Sequence, residues 1–434
     1  MSVTQKDAQK QIERIAKGLS SAEIERRLAP KFDPVPLRVP GATKTEPEVV
    51  DKRWNTVPHA VSGRAEVADP RTLAANASYA RNIENFIGTV KVPVGLVGPL
   101  RVNGLAAQGD YYIPLATTEA ALVASYHRGA CVITESGGCS VLTINEGVSR
   151  APAFAFCTLL EAGRFVQWCI EHESDIRKAA ESTTSHGRLQ NLRFNIEGNH
   201  VYLLCEFTTG DASGQNMVTI AAQAICNLLE ASCPIKPVYG FVESNFSGDK
   251  KSSTQSFQTV RGRKVTAEVR ISRSLIKRML HTTPEKMVEY WRISAMGGVL
   301  SGTVGVQGHY ANGLAALFIA CGQDAACVSE AAMGVTRLEV EGSGDGLLYA
   351  CVTLPNLIVG TVGGGTGLPS QRACLDILGL AGNGNAAAFA EVCAALVLAG
   401  ELSITAALCA HQFTKAHARL ARGRPAGSTD PKPR

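Results

Sequence analysis

The chain has 434 residues, 45% of them hydrophobic, and a formal net charge of +5. That length suits two domains, or one large domain with an insertion, and so small a positive excess excludes a nucleic-acid binder held by bulk charge. Thirteen scattered cysteines, odd in number and without a CxxC pair, exclude a disulfide frame or structural zinc and fit free thiols in a reducing cytoplasm.

Residues 1–65 read as a leading helical and linker segment. Its start, MSVTQKDAQKQIERIAKG, has no apolar signal core. Helical character over 8–28 gives way to a linker with Pro30, Pro34, Pro36 and Pro40. YARNIENFIG then leads into VKVPVGLVGPLRVNG, whose valines alternate with Pro and Gly and predict strand ends and tight turns, not a long strand. Residues 111–115 are β-like and run into Thr117-Thr118-Glu119, where the Thr pair offers an N-cap to a small-residue helix over 120–126. CVITESGGCSVLTINEGVSRAP reads as two strands around Gly137-Gly138, ending at Arg150.

Residues 152–241 change character. A strand at 154–158 and an amphipathic helix at 161–182 precede strands at 189–197 and 200–208, joined by a Gly198-Asn199 turn. A helix at 216–232 and a strand at 237–242 complete the order β-α-β-β-α-β of a ferredoxin-like unit. After it come a strand at 260–271, helices at 273–281 and 284–296, and a Gly-rich connection. An Ala-rich helical region at 309–333, strands at 336–341 and 347–354, and the glycine loop GTVGGGTG follow. Helices at 371–380 and 385–417 close the ordered chain, and 421–434 is a flexible basic tail. The most apolar region, 386–410, is interrupted by Glu391, Gly400 and Glu401. A membrane span needs about 20 clean apolar residues, so buried helices are expected there instead. The fold class is α+β: a large mixed α/β substrate-binding domain, 66–151 plus 242–420, with a ferredoxin-like cofactor-binding domain, 152–241, inserted.

Several residues could carry chemistry. Glu119 falls in or near the first helical turn, where the helix dipole stabilises it by roughly 0.3–1 kcal/mol. Alternatively it is a carboxylic acid in a dry cleft, its pKa raised by desolvation enough to donate a proton. Ser125 and Arg128 lie three apart on one helical face, a grip for an anionic group. Asp324 is the only charge in LAALFIACGQDAACV and reads as a buried acid that needs a cation or several donors, in a structural ion pair or an active site. Lys250 and Lys251 follow Asp249 in SGDKKSS, a solvated turn or one with a lysine turned inward to meet Asp324 and steady a developing oxyanion. His417 stands near a helix C-terminus, which favours it electrostatically. Its spacing of six from His411 makes no helical metal pair. GTVGGGTG is neither a Walker loop nor a Rossmann GxGxxG, yet it can bring backbone N–H groups to a phosphate or carboxylate. GDASGQNM is a turn before a helix whose N-terminus could bind an anion, unless Asp211 simply caps it.

Taken in order, ENFIGTVKVPVGLVGPL, PLATTEAALVAS, GDASGQNM, GDKK, ACGQDAA, GTVGGGTGLP and AGELSITAAL…KAH closely resemble the hydroxymethylglutaryl-CoA (HMG-CoA) reductase family, from Ile83 to His417. The resemblance implies four-electron reduction of the thioester to mevalonate and free CoA, using two NADPH, with NADH possible. It implies Glu119 as catalytic acid, Lys250 as oxyanion lysine, Asp324 as the aspartate that sets their protonation, and His417 as acid for the departing thiolate. Arg150 would grip the acyl carboxylate, with Asp249, Lys251 and Asn312 organising the substrate, and Ser125, Arg128 and His309 near CoA. The cofactor would meet Asp211, Ser213, Gly214, Gln215 and Asn216, and Gly363 and Gly364 of the glycine loop. The family also implies a homodimer or higher homo-oligomer, with Glu119 facing Lys250 and Asp324 of the partner chain, and no metal, nucleic acid or membrane.

The chain departs from the family pattern in places. Glu243 replaces a substrate-contacting serine, and His281 a CoA-binding lysine. GDASGQNM replaces GDAMGMNM, and Ser185 an arginine that contacts the cofactor's extra phosphate. A reductase for a different acyl-CoA thioester, or a non-catalytic CoA-binding paralogue, are the alternative readings.

Overall fold

Period-2 alternation and β-branched runs give ten strands among the described residues: β1 (Val94–Gly104), β2 (Gln108–Ala116), β3 (Cys139–Arg150), β4 (Ala153–Ala155), β5 (Arg188–Glu197), β6 (His200–Thr208), β7 (Tyr239–Phe241), β8 (Gly262–Ile271), β9 (Val335–Glu341) and β10 (Leu347–Leu357). This computed structural model describes residues 4–16, 18–32, 37–57, 63–259, 261–342 and 346–410. His417 and the 421–434 tail lie outside the described residues. The chain divides into two units, Met1–Thr89 and Val90–Arg434.

Within the first unit, Val50, Trp54, Ala68 and Phe86 form a small core, and Tyr79 stacks on Phe86 at 4.9 Å. Arg53 is 1% exposed. Its guanidinium donates to four backbone carbonyls among the described residues, those of Pro40 at 2.9 Å, Phe86 at 2.7 Å, Lys44 at 2.8 Å, and Gly41. The expected helix over 8–28 is two helices, Gln5–Ala16 and Ser21–Leu28, the second capped by Ser20.

In the second unit, the strand order β2-β1-β3-β8-β10-β9 forms one sheet, antiparallel except for the β1–β3 pair. The Ala386–Cys409 helix packs on β8, β10, β3 and β1 and on the Leu122–Glu135 helix. The Ala386–Cys409 helix is long and apolar enough to cross a membrane, but most of it is buried in this core. The order β4, helices, β5, β6, helix, β7 pairs as β7-β4-β6-β5, all antiparallel, which is the split β-α-β arrangement. Its helices, Leu159–Glu171, Glu173–Glu181 and Gln215–Ser232, cover a second core around Phe154, Phe165, Leu203, Phe207 and Ile225. β3 belongs to both sheets: residues 140–147 pair with β8, and Val148–Arg150 pair with β6.

The structure corrects the sequence reading in several further places. β1 is a full strand of 11 residues, because its ladder to β2 breaks between Val97 and Leu100 and so accommodates Gly98 and Pro99 as a bulge. The first expected strand around Gly137-Gly138 is instead the second half of the Leu122–Glu135 helix. Its β-branched Val132 and Ile133 are fully buried, and Gly129 touches the Ala399 backbone, where a Cβ would lie 1.9 Å from the carbonyl oxygen. Helix packing therefore overrides strand propensity there. The Ala-rich region is not one helix: Tyr310–Ala320 ends, and a turn at Gly322, φ 67°, puts Asp324 outside it. Glu119 lies near the first helical turn and not in it, since that helix begins at Leu122, after a left-handed Ala121.

Candidate active site

Lys250 and Asp324 meet. The Lys250 Nζ donates to Asp324 Oδ2 at 2.9 Å, and the other carboxylate oxygen accepts from the Ala326 N–H at 3.0 Å. Asp324 thereby caps the short helix that follows it. The expectation that it lies buried is not met: its side chain keeps 40% of its surface, and that of Lys250 41%. The Asp324 hydrogen bond raises the ammonium above the ordinary lysine value. Partial burial pushes the Asp324 carboxyl up, but the Lys250 ammonium and the Ala326 N–H outweigh it and hold the acid below its usual range. Lys251 points elsewhere, its Nζ donating to the Asp249 carbonyl at 2.7 Å.

Beneath this pair sits a buried charge network. Arg261 is 1% exposed. Its guanidinium donates to Glu330 at 2.9 Å, to the Ser149 carbonyl at 2.8 Å, to Gln215 Oε1 at 3.2 Å, and to Asp249. The second oxygen of Glu330 accepts the Lys250 backbone N–H at 3.1 Å, at a residue held in a left-handed conformation of φ 55°. Burial lifts the Glu330 carboxyl despite Arg261. Burial likewise works on Asp249, but Arg261 and Arg150 win and keep that acid below the usual carboxylate range. Arg150, only 6% exposed, meets Asp249 at 2.9 Å and Glu243 at 3.3 Å, and its Nε is buried without a partner. Glu243 therefore stands on the arginine that the sequence assigns to the acyl carboxylate.

Glu119 lies exposed, and the Asn312 amide donates to both of its oxygens, at 3.2 and 3.0 Å. Among the described residues no hydrogen bond or ion pair joins Glu119 to Lys250 or Asp324. A cleft of about 450 Å³ is lined by Ser252, Ser329, His309, Asn312 and Met333, so it opens beside Asn312 and two residues along the chain from Lys250. His309 is fixed from several sides. Its backbone N–H donates to Glu401 at 2.8 Å, its ring lies 4.9 Å from that of Tyr126, and its Nε2 meets the Gly400 carbonyl at 2.8 Å. A carbonyl only accepts, so Nε2 carries the proton. Ser125 and Arg128 are turned to the C-terminal helix: both bond Ser403, Arg128 reaching its carbonyl at 2.7 Å and its hydroxyl at 2.9 Å.

The two glycine-bearing motifs form one surface. Thr361 N–H donates to the Asp211 carbonyl at 2.9 Å, and a Cβ on Gly360 would lie 2.6 Å from the Ser213 nitrogen. Gln323 clamps the same loop, exchanging hydrogen bonds with the Gly360 carbonyl and N–H at 2.9 and 2.8 Å. The Asp211 carboxylate does cap a helix, but a different one: it accepts from Gly384 and Ala386, at the start of the C-terminal helix, at 2.8 and 3.1 Å. The Gln215–Ser232 helix starts at Gly214, φ 74°, without a side-chain cap, so its leading N–H groups are open to an anion. A Cβ on Gly363 or Gly364 would meet nothing within 4 Å, so that loop faces open space. Asn216 is exposed at the helix start. This donor set suits the phosphates of a dinucleotide.

A family profile, Hydroxymethylglutaryl-coenzyme A reductase, matches residues 49–422. The chain belongs to this reductase family. It is 46% identical over 352 residues to 3-hydroxy-3-methylglutaryl-coenzyme A reductase of Aeropyrum pernix, covering 80% of this chain and 83% of that one. It is 40% identical over 419 residues to the enzyme of that name from Pyrococcus horikoshii, covering 95% and 98%. The fold matches the class II reductase of Streptococcus pneumoniae, solved with NADPH bound, at a TM-score of 0.62 and 20% identity, over 82% of this chain and 96% of that one.

Sequence reasoning missed part of this reductase-family site. Arg261, Glu330, Gln323 and Glu401 were not singled out as functional, yet they hold the backbones of Lys250, the glycine loop and His309. A single signal was available for Glu401: an acid inside an apolar helix demands buried donors, and it finds Gly308, His309 and Thr336.

Proposed function

We propose that the chain reduces HMG-CoA to mevalonate and free CoA with two NADPH. The observation that carries this reading is the Lys250–Asp324 pair, charged and half open, held from below by a buried arginine network, with a cleft opening two residues along the chain from Lys250. NADPH, held by the Gly210–Gly214 turn, the following helix start and Gly363-Gly364, supplies hydride when bound.

The chain's own groups do the rest. As the thioester carbonyl becomes tetrahedral its oxygen turns anionic, and the Lys250 ammonium neutralises it, a contribution of several kcal/mol for such a donor. The tetrahedral centre collapses to the aldehyde as the C–S bond breaks. The CoA thiolate must be protonated or it re-adds to the aldehyde. An imidazolium with pKa about 6.5 can protonate a thiolate whose thiol has pKa about 8.5, and His417 is assigned that step. When the aldehyde is reduced in turn, Glu119, oriented by Asn312, gives its proton to the new alkoxide. Arg150 is assigned the distal carboxylate of the acyl group. Residues 152–241 are assigned cofactor binding.

The site is proposed to be completed across a homodimer. Two observations support this. Glu119, Lys250 and Asp324 are all exposed in one chain, and the Pro284–Ser301 helix carries an open apolar face of Ile293, Met296, Val299 and Leu300. A cytoplasmic location is the matching expectation.

An assay following NADPH absorbance with HMG-CoA, then with NADH and with other acyl-CoA thioesters, tests the proposal. Turnover of HMG-CoA with a preference for NADPH is expected. The Glu243–Arg150 contact favours a second reading, in which a different acyl group is taken. No turnover of HMG-CoA, with turnover of another thioester, would replace the first reading by the second.

A further inference from the structure

Gln215 is the first residue of the helix that follows the Gly210–Gly214 turn, and its side chain turns toward the charged network. Arg261 has only donors, so the oxygen of the Gln215 amide must face it, at 3.2 Å. That fixes the orientation of the amide. Its nitrogen then faces Cys327 Sγ at 3.0 Å and Asp324 Oδ2 at 3.5 Å, the same oxygen that holds the Lys250 ammonium. The Gln215 backbone carbonyl also accepts from Arg150 at 3.3 Å. One half-buried residue therefore touches Arg150, Arg261 and Asp324 while standing at the end of the glycine-bearing turn, itself pressed against Gly360. Packed contacts of this kind transmit small displacements, because close-packed groups cannot deform independently.

We infer that Gln215 is a positioning residue that ties the glycine turn to the Lys250–Asp324 pair, so that a ligand seated on the turn and the state of the pair depend on each other. The inference rests on the proposed catalytic role of that pair. Lys250 and Cys327 are the titratable groups that act on Asp324 around the amide, and Asp249, Arg261 and Glu330 act in turn on those two. Gln215 adds a donor to the charged form of Asp324, and a donor of that kind favours ionisation.

The test compares Gln215→Leu and Gln215→Glu with the native enzyme, measuring kcat and KM for HMG-CoA across pH, with thermal melting as the folding control. Gln215→Leu is expected to lower kcat roughly ten- to a hundredfold, as a small misplacement of reacting groups does. KM for the thioester is expected to stay within about threefold. The acid limb of the kcat profile should move up by about half a pH unit or more, because Asp324 loses a donor, and further in Gln215→Glu, which places a like charge beside it. A purely structural residue would lower the melting temperature and leave the limb where it is. A native kcat in Gln215→Leu, or an unmoved limb in both variants, would overturn the inference. Lys250→Ala in the same assay separates the two levels: if it stays active, the catalytic reading itself fails, whereas an inactive Lys250→Ala beside a native-like Gln215→Leu removes only the tie through Gln215.

Discussion

Two ion pairs lie side by side in this molecule and are built in opposite ways. Lys250 and Asp324 keep 41% and 40% of their side-chain surface, whereas Arg261 and Glu330 keep 2% and 0%. Water screens the first pair, so its net worth to the fold is small, about 1 kcal/mol or less. Its ammonium can turn to another anion at little cost. The second pair has no water to fall back on, and a lost partner leaves an uncompensated charge in the interior. Glu330 links the two, bonding Arg261 with one oxygen and the Lys250 N–H with the other. The buried pair fixes the place of the open one, and the open one is left free to react.

Removing the open cation should have the largest effect on rate. Lys250→Ala is expected to cut kcat by about a hundred- to a thousandfold or more, with little change in melting temperature. If most of the rate survived, the open pair would be scaffold like its neighbour. Next comes the buried cation. Arg261→Met should destabilise by about 3–5 kcal/mol in urea unfolding, and adding Glu330→Met should recover much of it, because the stranded carboxylate goes too. A double variant as unstable as the single one would contradict that account.

Asn312→Ala tests the other carboxylate by freeing Glu119. A loss of roughly tenfold in kcat is expected, larger for reduction of added mevaldehyde than for hydride addition to the HMG-CoA thioester. Equal losses on both would detach Asn312 from proton delivery. The smallest effect is one of pH on stability. Folded Asp324 titrates below its ordinary 3.8, so its contribution is full above pH 3.8 and is lost as pH falls through the lower folded value. Folded Lys250 titrates above 10.5, so its share is full below pH 10.5 and disappears as pH rises through the raised value. Asp324→Asn should therefore cost under about 1 kcal/mol at pH 7 and less near pH 3. A cost independent of pH would mean the pair does not stabilise through its charges.

How far could the sequence be read? The meeting of Lys250 with Asp324 was legible only as one of two readings, since SGDKKSS equally suits a solvated turn and the burial expected of Asp324 is not found. The β-α-β-β-α-β order was legible from period and turns. The buried pair was not. Arg261 sits in VRGRK and Glu330 in SEAAMG, and no periodicity ties an arginine to a glutamate 69 residues on. The Leu122–Glu135 helix was half misread because Val132 and Ile133 favour strands locally, and only Gly129 against Ala399 shows that a helix must lie there. The helix after Glu119 was started at 120, ahead of Leu122, since nothing in TTEAAL announces a left-handed Ala121.

The Ala386–Cys409 helix follows every strand that it covers. A ribosome therefore releases β1, β3, β8 and β10, covered in part by earlier helices, before the segment that completes their cover has been made. Nascent chains of this protein must stay unclumped through that interval. Residence on a chaperone during synthesis, and sensitivity to any stall ahead of residue 386, follow from the order in which the core is delivered.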